Sequence, residues 1–266
     1  MICKIRIALA FALVVASTAL VVPLQLLSLK TGLLRETVMP RLWHRSIVRA
    51  LGLRVHVHGA LAARRPLMVA SNHISWTDIV VLGSLADVNF IARADMEGWP
   101  LIGWLSKLQR TVFVQRNRRR TAGSQAGEIA TRLGRGDAMV LFAEGTTGDG
   151  NVVLPFKSTL FGAASMAISE GAGEEVFIQP VAIAYTRLHG VPMGRRHRPH
   201  AAWIGDQDLG PHLMELLAEG AMDVEVHFGE PVAFSASSNR KETARLVERQ
   251  VAGMMRAALA DPRPSA

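Results

Sequence analysis

A histidine and an aspartate five positions apart are the residues of this 266-residue chain best suited to catalysis. His73 stands just after the apolar run LMVAS, and Asp78 stands just before the apolar run IVVL. In a regular helix this spacing separates side chains by about 140°, so the pair could not meet there. Across an irregular turn from a strand to a helix, Asp78 can accept a hydrogen bond from one imidazole nitrogen while the other takes a proton from a substrate hydroxyl. A helix-capping aspartate beside an inert histidine is the alternative.

The flanking sequence predicts the elements that would hold this pair. Alternating or apolar runs predict seven strands, at Leu53–His58, Leu67–Ser71, Val88–Ala92, Thr111–Val114, Ala138–Phe142, Val176–Ala184 and Val224–Phe228. Helical spacing predicts helices at 78–86, 98–109, 119–134, 158–169 and 239–260. Because strands and helices alternate, we expect an α/β domain with a largely parallel or mixed sheet.

Four further segments share a fixed order along the chain: LQRTVFVQR (108–116), LFAEGTTGDG (141–150), VLPFKS (153–158) and FIQPVAI (177–183). Together with NHISWTD at 72–78 they resemble the lysophospholipid and glycerolipid acyltransferase family, typified by 1-acylglycerol-3-phosphate acyltransferase. The family block NHxxxxD is matched by Asn72, His73 and Asp78. Its later blocks are matched by Phe113, Arg116, Phe142, Glu144, Gly145, Thr146 and Pro180. The resemblance covers about residues 50–235.

The resemblance implies a glycerol-3-phosphate acyltransferase-like mixed sheet flanked by helices. It also implies transfer of a fatty acyl group from a thioester, carried by acyl carrier protein or CoA, to a lysolipid hydroxyl. His73 would be the general base and Asp78 the residue that orients it. The residues expected to bind substrate are Asn72, Phe113, Arg116, Glu144, Gly145, Thr146, Thr147 and Lys157. We expect no metal ion and no redox cofactor. A lipid hydrolase and an inactive lipid-binding protein are the alternatives.

Thr147 departs from the family pattern, which usually has arginine at this place to bind the acceptor's phosphate. Threonine cannot replace the charge or the fork of an arginine. The charge of Arg116, Arg110 or Lys157 is an alternative source of phosphate binding. The version EGTTGDGN, followed by VLPFKS, more closely resembles the branch that acylates lyso-ornithine lipid, whose head group is an amino acid without phosphate. That acceptor is therefore favoured over lysophosphatidate, whose acylation would make phosphatidic acid.

The N-terminal segment predicts a membrane anchor. No charged residue occurs from Ile7 to Leu29, which is long enough to cross a hydrocarbon core of roughly 30 Å. The apolar run of a cleaved signal peptide would be shorter. Basic residues are denser after this segment than before it, which places the downstream domain in the cytoplasm, at the inner membrane. We expect an anchor at 1–32, an interfacial helix at 33–50 interrupted at Pro40, an acyltransferase domain at 51–260 and a tail at 261–266.

Composition narrows the class of partner. Thirty Lys and Arg against 22 Asp and Glu give a net charge of +8, which suits an anionic partner. Membrane lipid and an acidic carrier protein fit this charge, whereas no recognised nucleic-acid motif accompanies it. The single cysteine excludes an intramolecular disulfide and a Cys-rich zinc site. Oligomeric state is left open.

Overall fold

In the computed structural model, residues 2–114 and 119–260 are described, with side chains at 4–114 and 127–260. The helices are α1 (Ile2–Thr31), α2 (Val38–Leu51), α3 (Thr77–Leu85), α4 (Ile102–Leu108), α5 (Arg119–Gly134), α6 (Gly162–Ser169), α7 (Leu209–Glu219) and α8 (Arg240–Ala260). The strands are β1 (Leu53–His58), β2 (Leu67–Ser71), β3 (Asn89–Arg93), β4 (Val112–Val114), β5 (Ala138–Phe142), β6 (Glu175–Leu188), β7 (Val191–Pro192), β8 (Met222–Phe228) and β9 (Val232–Ser235). The tail expected at 261–266 lies outside the described residues.

One mixed sheet organises these elements, in the order β1-β8-β6-β2-β5-β3-β4, with β7 and β9 paired to β6. Strands β2, β3, β4 and β5 run parallel, and β2 is also parallel to β6. Strand β8 is antiparallel to β6 and parallel to β1. The expected α/β fold with a mixed sheet flanked by helices is confirmed.

The centre of the sheet is buried on both faces. Every residue of β2 and of β5 is buried, as expected of parallel strands covered by helices on either side. This explains why both read as continuous apolar runs in the sequence. The rigid centre brings the carboxyl ends of β2 and β5 together, because Ser71 pairs in register with Phe142.

Three helices begin several residues later than expected. The helix expected at 158–169 is α6, which begins at Gly162 after a 3-10 turn at Ser158–Phe161, and proline explains the other two differences. The helix expected at 98–109 is α4, which begins only at Ile102, because the residue before Pro100 is held in an extended conformation (Trp99 ψ 130°). The helix expected at 33–50 is α2, which begins at Val38. The interruption expected at Pro40 is wrong, because Pro40 lies in the first turn, where a missing backbone N–H breaks no helical bond. Strand β6 is longer than expected, and β7, β9 and α7 were not predicted.

Helix α1 packs along one side of the domain. Its buried residues include Ala10, Gln25 and Ser28. The side-chain amide of Gln25 donates hydrogen bonds to the carbonyl oxygens of Glu36 (2.9 Å) and Leu108 (2.8 Å). Apolar side chains around the rest of its circumference are exposed, among them Leu9, Phe11, Val15 and Leu20. The helix is long and apolar enough to cross a membrane, by length and composition.

Candidate active site

The site forms where the chain leaves β2 and β5. The two strands end side by side, so the segments that follow them are neighbours. The amide of Ala143 donates to the carbonyl of Ser71 at 3.0 Å, and the amide of Gly148 donates to the carbonyl of His73 at 2.8 Å. The turn after β5 contains Gly145 with φ 72°, a left-handed conformation that favours glycine. These backbone bonds fix the histidine-bearing turn against the loop at 143–148.

His73 and Asp78 meet across the turn into α3, as the sequence predicted. Nδ1 of His73 lies 2.9 Å from Oδ2 of Asp78. The same oxygen accepts hydrogen bonds from the amides of Ile74 (2.6 Å) and Ser75 (2.9 Å). The carboxylate is fully buried, so these donors hold it in one orientation. Since Nδ1 faces Asp78, Nε2 is the imidazole nitrogen left for a substrate.

Tyr185, the only tyrosine of the chain, completes this arrangement from near the carboxyl end of β6. Its hydroxyl donates to Oδ1 of Asp78 at 2.8 Å and lies 2.5 Å from the hydroxyl of Thr77. Burial, and then the neighbouring Asp78, raise the pKa of Tyr185, so its hydroxyl stays protonated. Sequence reasoning missed this residue. Tyr185 lies just beyond the strand predicted at Val176–Ala184, and only the tertiary fold brings its hydroxyl to Asp78.

Asn72 holds the turn to the neighbouring strand rather than facing a substrate. Its side-chain amide donates to the carbonyl of Ile183 at 2.9 Å, and its side-chain oxygen accepts from the amide of Ile183 at 2.8 Å. Both polar atoms of a buried side chain are thus satisfied by β6. Asn72 therefore fixes the residue preceding His73.

A cavity of about 780 Å³ opens in front of His73. The imidazole lines it, and the ring of Phe142 stacks against the imidazole with centroids 3.9 Å apart and an interplanar angle of 15°. Phe90, Ile91, Leu141 and Met166 supply apolar walls. A cavity of this size with apolar walls and one polar end can hold an acyl chain beside a reacting group.

The cavity also brings together Gly145, Thr146 and Thr147, three residues predicted to bind substrate. The hydroxyl of Thr147 donates to the carbonyl of Trp203 at 2.5 Å. Trp203 lines the same cavity and begins a segment whose residues 205–209 line it too. Sequence reasoning gave no role to that segment, which reaches the site only through the fold.

Glu144 lies behind this lining. Its side chain is buried near the backbone amides of His73 and Leu154, and its Oε2 has no hydrogen-bond partner among the described residues. Burial raises the pKa of Glu144 from its ordinary 4.5 to about 8, because desolvation disfavours the charged carboxylate. The neighbouring amides favour the charged carboxylate, but their effect is smaller. The nearby carboxylates of Asp78 and Glu248 raise it further. The position suits a residue that supports the loop rather than one that contacts an acceptor.

Two other predicted substrate-binding residues lie elsewhere, and a third is not among the described residues. Phe113 of β4 does not line the cavity, whereas its neighbour Val114 does, since successive strand residues face opposite sides of a sheet. Lys157 is exposed, and only its backbone is tied in, donating to the carbonyl of Ala143 at 2.9 Å. Arg116 lies outside the described residues. Arg110, the other possible phosphate-binding group, pairs with Glu36.

The charged side chains among the described lining residues are mostly acidic. Arg93 makes two hydrogen bonds to Asp95, at 3.0 and 2.7 Å, and both side chains line the cavity. Asp206 and Asp208 line it as well. Apart from His73, the described lining residues therefore include three carboxylates and one guanidinium. In the part of the chain that the structure describes, no group of three potential metal ligands lies in this cavity.

Comparisons with known proteins fit this geometry. A family model described as Acyltransferase matches residues 54–184. The lyso-ornithine lipid O-acyltransferase of Brucella abortus (strain 2308) is 51% identical over 261 residues, which cover 97% of each chain. The chain belongs to the acyltransferase family. The lyso-ornithine lipid O-acyltransferase of Rhizobium meliloti (strain 1021) is 48% identical over 251 residues, covering 94% of this acyltransferase and 86% of the relative.

A solved structure agrees with the fold of this acyltransferase. The 1-acyl-sn-glycerophosphate (LPA) acyltransferase PlsC from Thermotoga maritima matches it with a TM-score of 0.64, covering 97% of this chain and 98% of that one, at 22% identity. At that identity the likeness establishes the shared architecture alone. The family and the acyltransferase activity predicted from the sequence motifs are both confirmed.

Proposed function

We propose that this acyltransferase moves a fatty acyl group from a thioester donor to the free hydroxyl of lyso-ornithine lipid. The observation that carries the chemistry is the imidazole of His73, held by Asp78 through Nδ1 while the ring lines an apolar cavity. Acceptor and acyl chain can both reach that ring. The name carried by two nearly full-length relatives supports the choice of acceptor.

The reaction needs one base and no acyl-enzyme. Nε2 of His73 takes the proton of the acceptor hydroxyl as its oxygen attacks the thioester carbonyl. Asp78 stabilises the imidazolium that forms, and its three other hydrogen bonds keep it in place. When the tetrahedral intermediate collapses, the carbon–sulfur bond breaks and the thiol leaves with the proton. The products are the acylated lipid and the free thiol of acyl carrier protein or CoA.

The charge of the cavity supports an acceptor without phosphate. Thr147 stands where the family usually has arginine, and its hydroxyl is already bonded to Trp203. The described lining carries Asp95, Asp206 and Asp208 against Arg93 alone. Carboxylates repel a phosphomonoester and attract an ammonium group, such as the amine of an ornithine head group.

The position of α1 supports a site at the membrane surface. Arg6, near one end of α1, donates to the carbonyl of Ala218 at 3.0 Å, and Gln25, near the other end, is bonded to the domain as described above. A helix attached to its domain at both ends cannot cross a bilayer without drawing the domain in. We infer that α1 lies in one leaflet through its exposed apolar side, at the cytoplasmic face of the inner membrane.

The deciding assay presents purified full-length protein, in mixed micelles, with lyso-ornithine lipid or lysophosphatidate and a labelled acyl donor. Acyl carrier protein and CoA thioesters are compared in parallel. We expect transfer to lyso-ornithine lipid, and a loss of about 10²- to 10⁴-fold in His73→Ala, since a general base contributes that much. His197→Ala, in a loop away from the cavity, is the matched control. Release of free fatty acid instead of acyl transfer would indicate a hydrolase.

A further inference from the structure

A second cluster of polar side chains lies on the sheet outside the catalytic cavity. Strands β1 and β8 run parallel, with His58 in register with His227 and His56 in register with Glu225. Paired residues of a parallel ladder share a face, so these four side chains lie on one side of the two strands. None of them lines the cavity in front of His73.

In this cluster each histidine of β1 bonds diagonally to a carboxylate of β8, but His227 of β8 is left without such a bond. Nε2 of His56 bonds to Asp223 at 2.9 Å, and Nε2 of His58 bonds to Glu225 at 2.6 Å. Each of these two histidines thus bonds to a carboxylate of β8 that lies two residues before the β8 residue with which the histidine is in register. The next position on β8 is His227, whose Nε2 is buried and has no hydrogen-bond partner among the described residues.

The last three members are close enough to share an ion. The imidazoles of His58 and His227 stack with centroids 4.1 Å apart and an interplanar angle of 8°. One ligand atom from each of His58, Glu225 and His227 lies within 4.8 Å of the other two. Glu225 is 4% exposed, and a buried carboxylate is stabilised by a cation.

We propose that His58, Glu225 and His227 bind a first-row divalent metal ion of the Zn²⁺ type. Two imidazole nitrogens and one carboxylate oxygen form a ligand set that zinc accepts, with water in the fourth position. Ligand atoms around zinc lie about 2.0–2.2 Å from the ion, so the three side chains must close in slightly. Binding displaces the proton between His58 and Glu225 to solvent. It also gives the buried Nε2 of His227 a partner.

The ion would join the edge strand of the sheet to its neighbour. Among the described strands, β1 lies at the end of the sheet and pairs with β8 alone. It directly follows α2, which packs against α1. A metal at this ladder therefore strengthens the attachment of the N-terminal helices to the sheet, and it takes no part in acyl transfer. The sequence predicted no metal, because residue 58 and residues 225–227 meet only through the β1–β8 pairing.

Calorimetric titration with Zn²⁺ tests this site in the full chain, in detergent, after removal of any affinity tag and treatment with a chelator. We expect one Zn²⁺ per chain. His227→Ala should weaken binding by more than about tenfold, since even indirect partners of a metal site are worth 10- to 100-fold. His56→Ala is the matched control, because His56 shares the strand and the face but binds Asp223. It should bind Zn²⁺ as the wild type does.

Thermal unfolding gives a second measurement that does not depend on how a variant folds without metal. Zn²⁺ should raise the melting temperature of the wild type and of His56→Ala, but not that of His227→Ala or Glu225→Gln. Mg²⁺ should have no effect, because it avoids nitrogen ligands. Absence of Zn²⁺ binding in the wild type, equal binding in His227→Ala, or an equal response to Mg²⁺ would each overturn the proposal. Each of these outcomes leaves the acyltransferase assay unaffected.

Discussion

Tyr185 connects the candidate base to the middle of the sheet. It donates to the one oxygen of Asp78 that His73 does not use, so it restrains the carboxylate without touching substrate. Tyr185→Phe should lower kcat about tenfold or more with little change in KM, since a hydrogen bond to a charged group contributes about 1.5–3 kcal/mol. Steady-state kinetics with a fixed acceptor measure this split.

Thr77→Val is the matched control for that substitution. Thr77 contacts the Tyr185 hydroxyl but makes no side-chain hydrogen bond to Asp78 among the described contacts. Thr77→Val should therefore reduce kcat less than Tyr185→Phe does. An unchanged kcat in folded Tyr185→Phe would show that Asp78 is held well enough by the amides of Ile74 and Ser75.

Glu144 predicts a pH dependence of stability. Its folded-state pKa of about 8 lies above the unfolded value, so the folded protein binds the proton more tightly. Its contribution is fully favourable below about pH 4.5 and is lost as pH rises towards 8 and above. Each pKa unit corresponds to about 1.4 kcal/mol, so the total is several kcal/mol at most.

Glu144→Gln removes this titration while keeping a similar shape. Melting temperatures of the two proteins should agree most closely near pH 5, and Glu144→Gln should become increasingly more stable up to about pH 8. Comparing the two cancels other titrations, such as that of buried His44, whose pKa burial lowers to about 4. Parallel curves at all pH values would contradict the raised pKa of Glu144.

At the scale of elements, α1 both packs against the domain and serves as the proposed membrane anchor. Its inner side bonds to the domain, so deleting residues 1–30 would remove the partners of Trp43 and of the Glu36 carbonyl along with the membrane contact. Substitution of exposed residues of α1 separates its contact with the membrane from its packing against the domain. Phe11 and Leu20 are 64% and 65% exposed, and replacing both with glutamate should leave the melting temperature unchanged.

The same double substitution should weaken vesicle binding by at least about tenfold, because each buried apolar side chain contributes roughly 1.5–3 kcal/mol. Co-sedimentation with anionic vesicles at low and high salt measures it. Val191→Glu, at a residue that is 66% exposed in β7, is the control and should bind as the wild type does. Undiminished binding of the double variant would exclude α1 as the anchor.

The central strands could be located from the sequence because particular residue types mark where they begin and end. The bounds of β1, β2 and β5 agree with expectation, since glycine borders β1 at both ends, Pro66 and Asn72 border β2, and Asp137 precedes β5. Strand β9 and helix α7 were missed because β9 has only four residues, and Gly210 and Pro211 obscure the start of α7. The His73–Asp78 contact was predictable because it is local. Tyr185 and Trp203 were not, because only the tertiary fold brings them to the site.

For the whole molecule, acceptor choice depends on segments far apart in the chain. Arg93 ends β3 and Asp95 follows that strand. Thr147 lies after β5, and Asp206 and Asp208 precede α7, yet all five residues line one cavity. The hydroxyl of Thr147 connects two of these segments through the carbonyl of Trp203. Replacing Thr147 with arginine therefore changes both the charge of the cavity and the attachment of the segment that carries two of its carboxylates.

Thr147→Arg should shift the ratio of kcat/KM values towards lysophosphatidate. A fully formed contact between arginine and phosphate contributes about 1.5–3 kcal/mol, or roughly 10- to 150-fold. The neighbouring carboxylates should keep the shift towards the lower end of that range, because they repel the same phosphate. Both acceptors must be presented in matched micelles, since surface charge changes their apparent affinity.

Two further variants separate the new charge from the lost hydrogen bond. Thr147→Val removes the bond to Trp203 without adding charge, so it should lower kcat/KM for both acceptors without moving their ratio. Asp206→Asn combined with Thr147→Arg should move the ratio further towards lysophosphatidate, because a repelling carboxylate has been removed. If the wild type already prefers lysophosphatidate and Thr147→Arg leaves the ratio unchanged, then Thr147 and the cavity's carboxylates do not select the acceptor. The role of His73 would stand in that case, since it depends on the bond to Asp78 rather than on the head group.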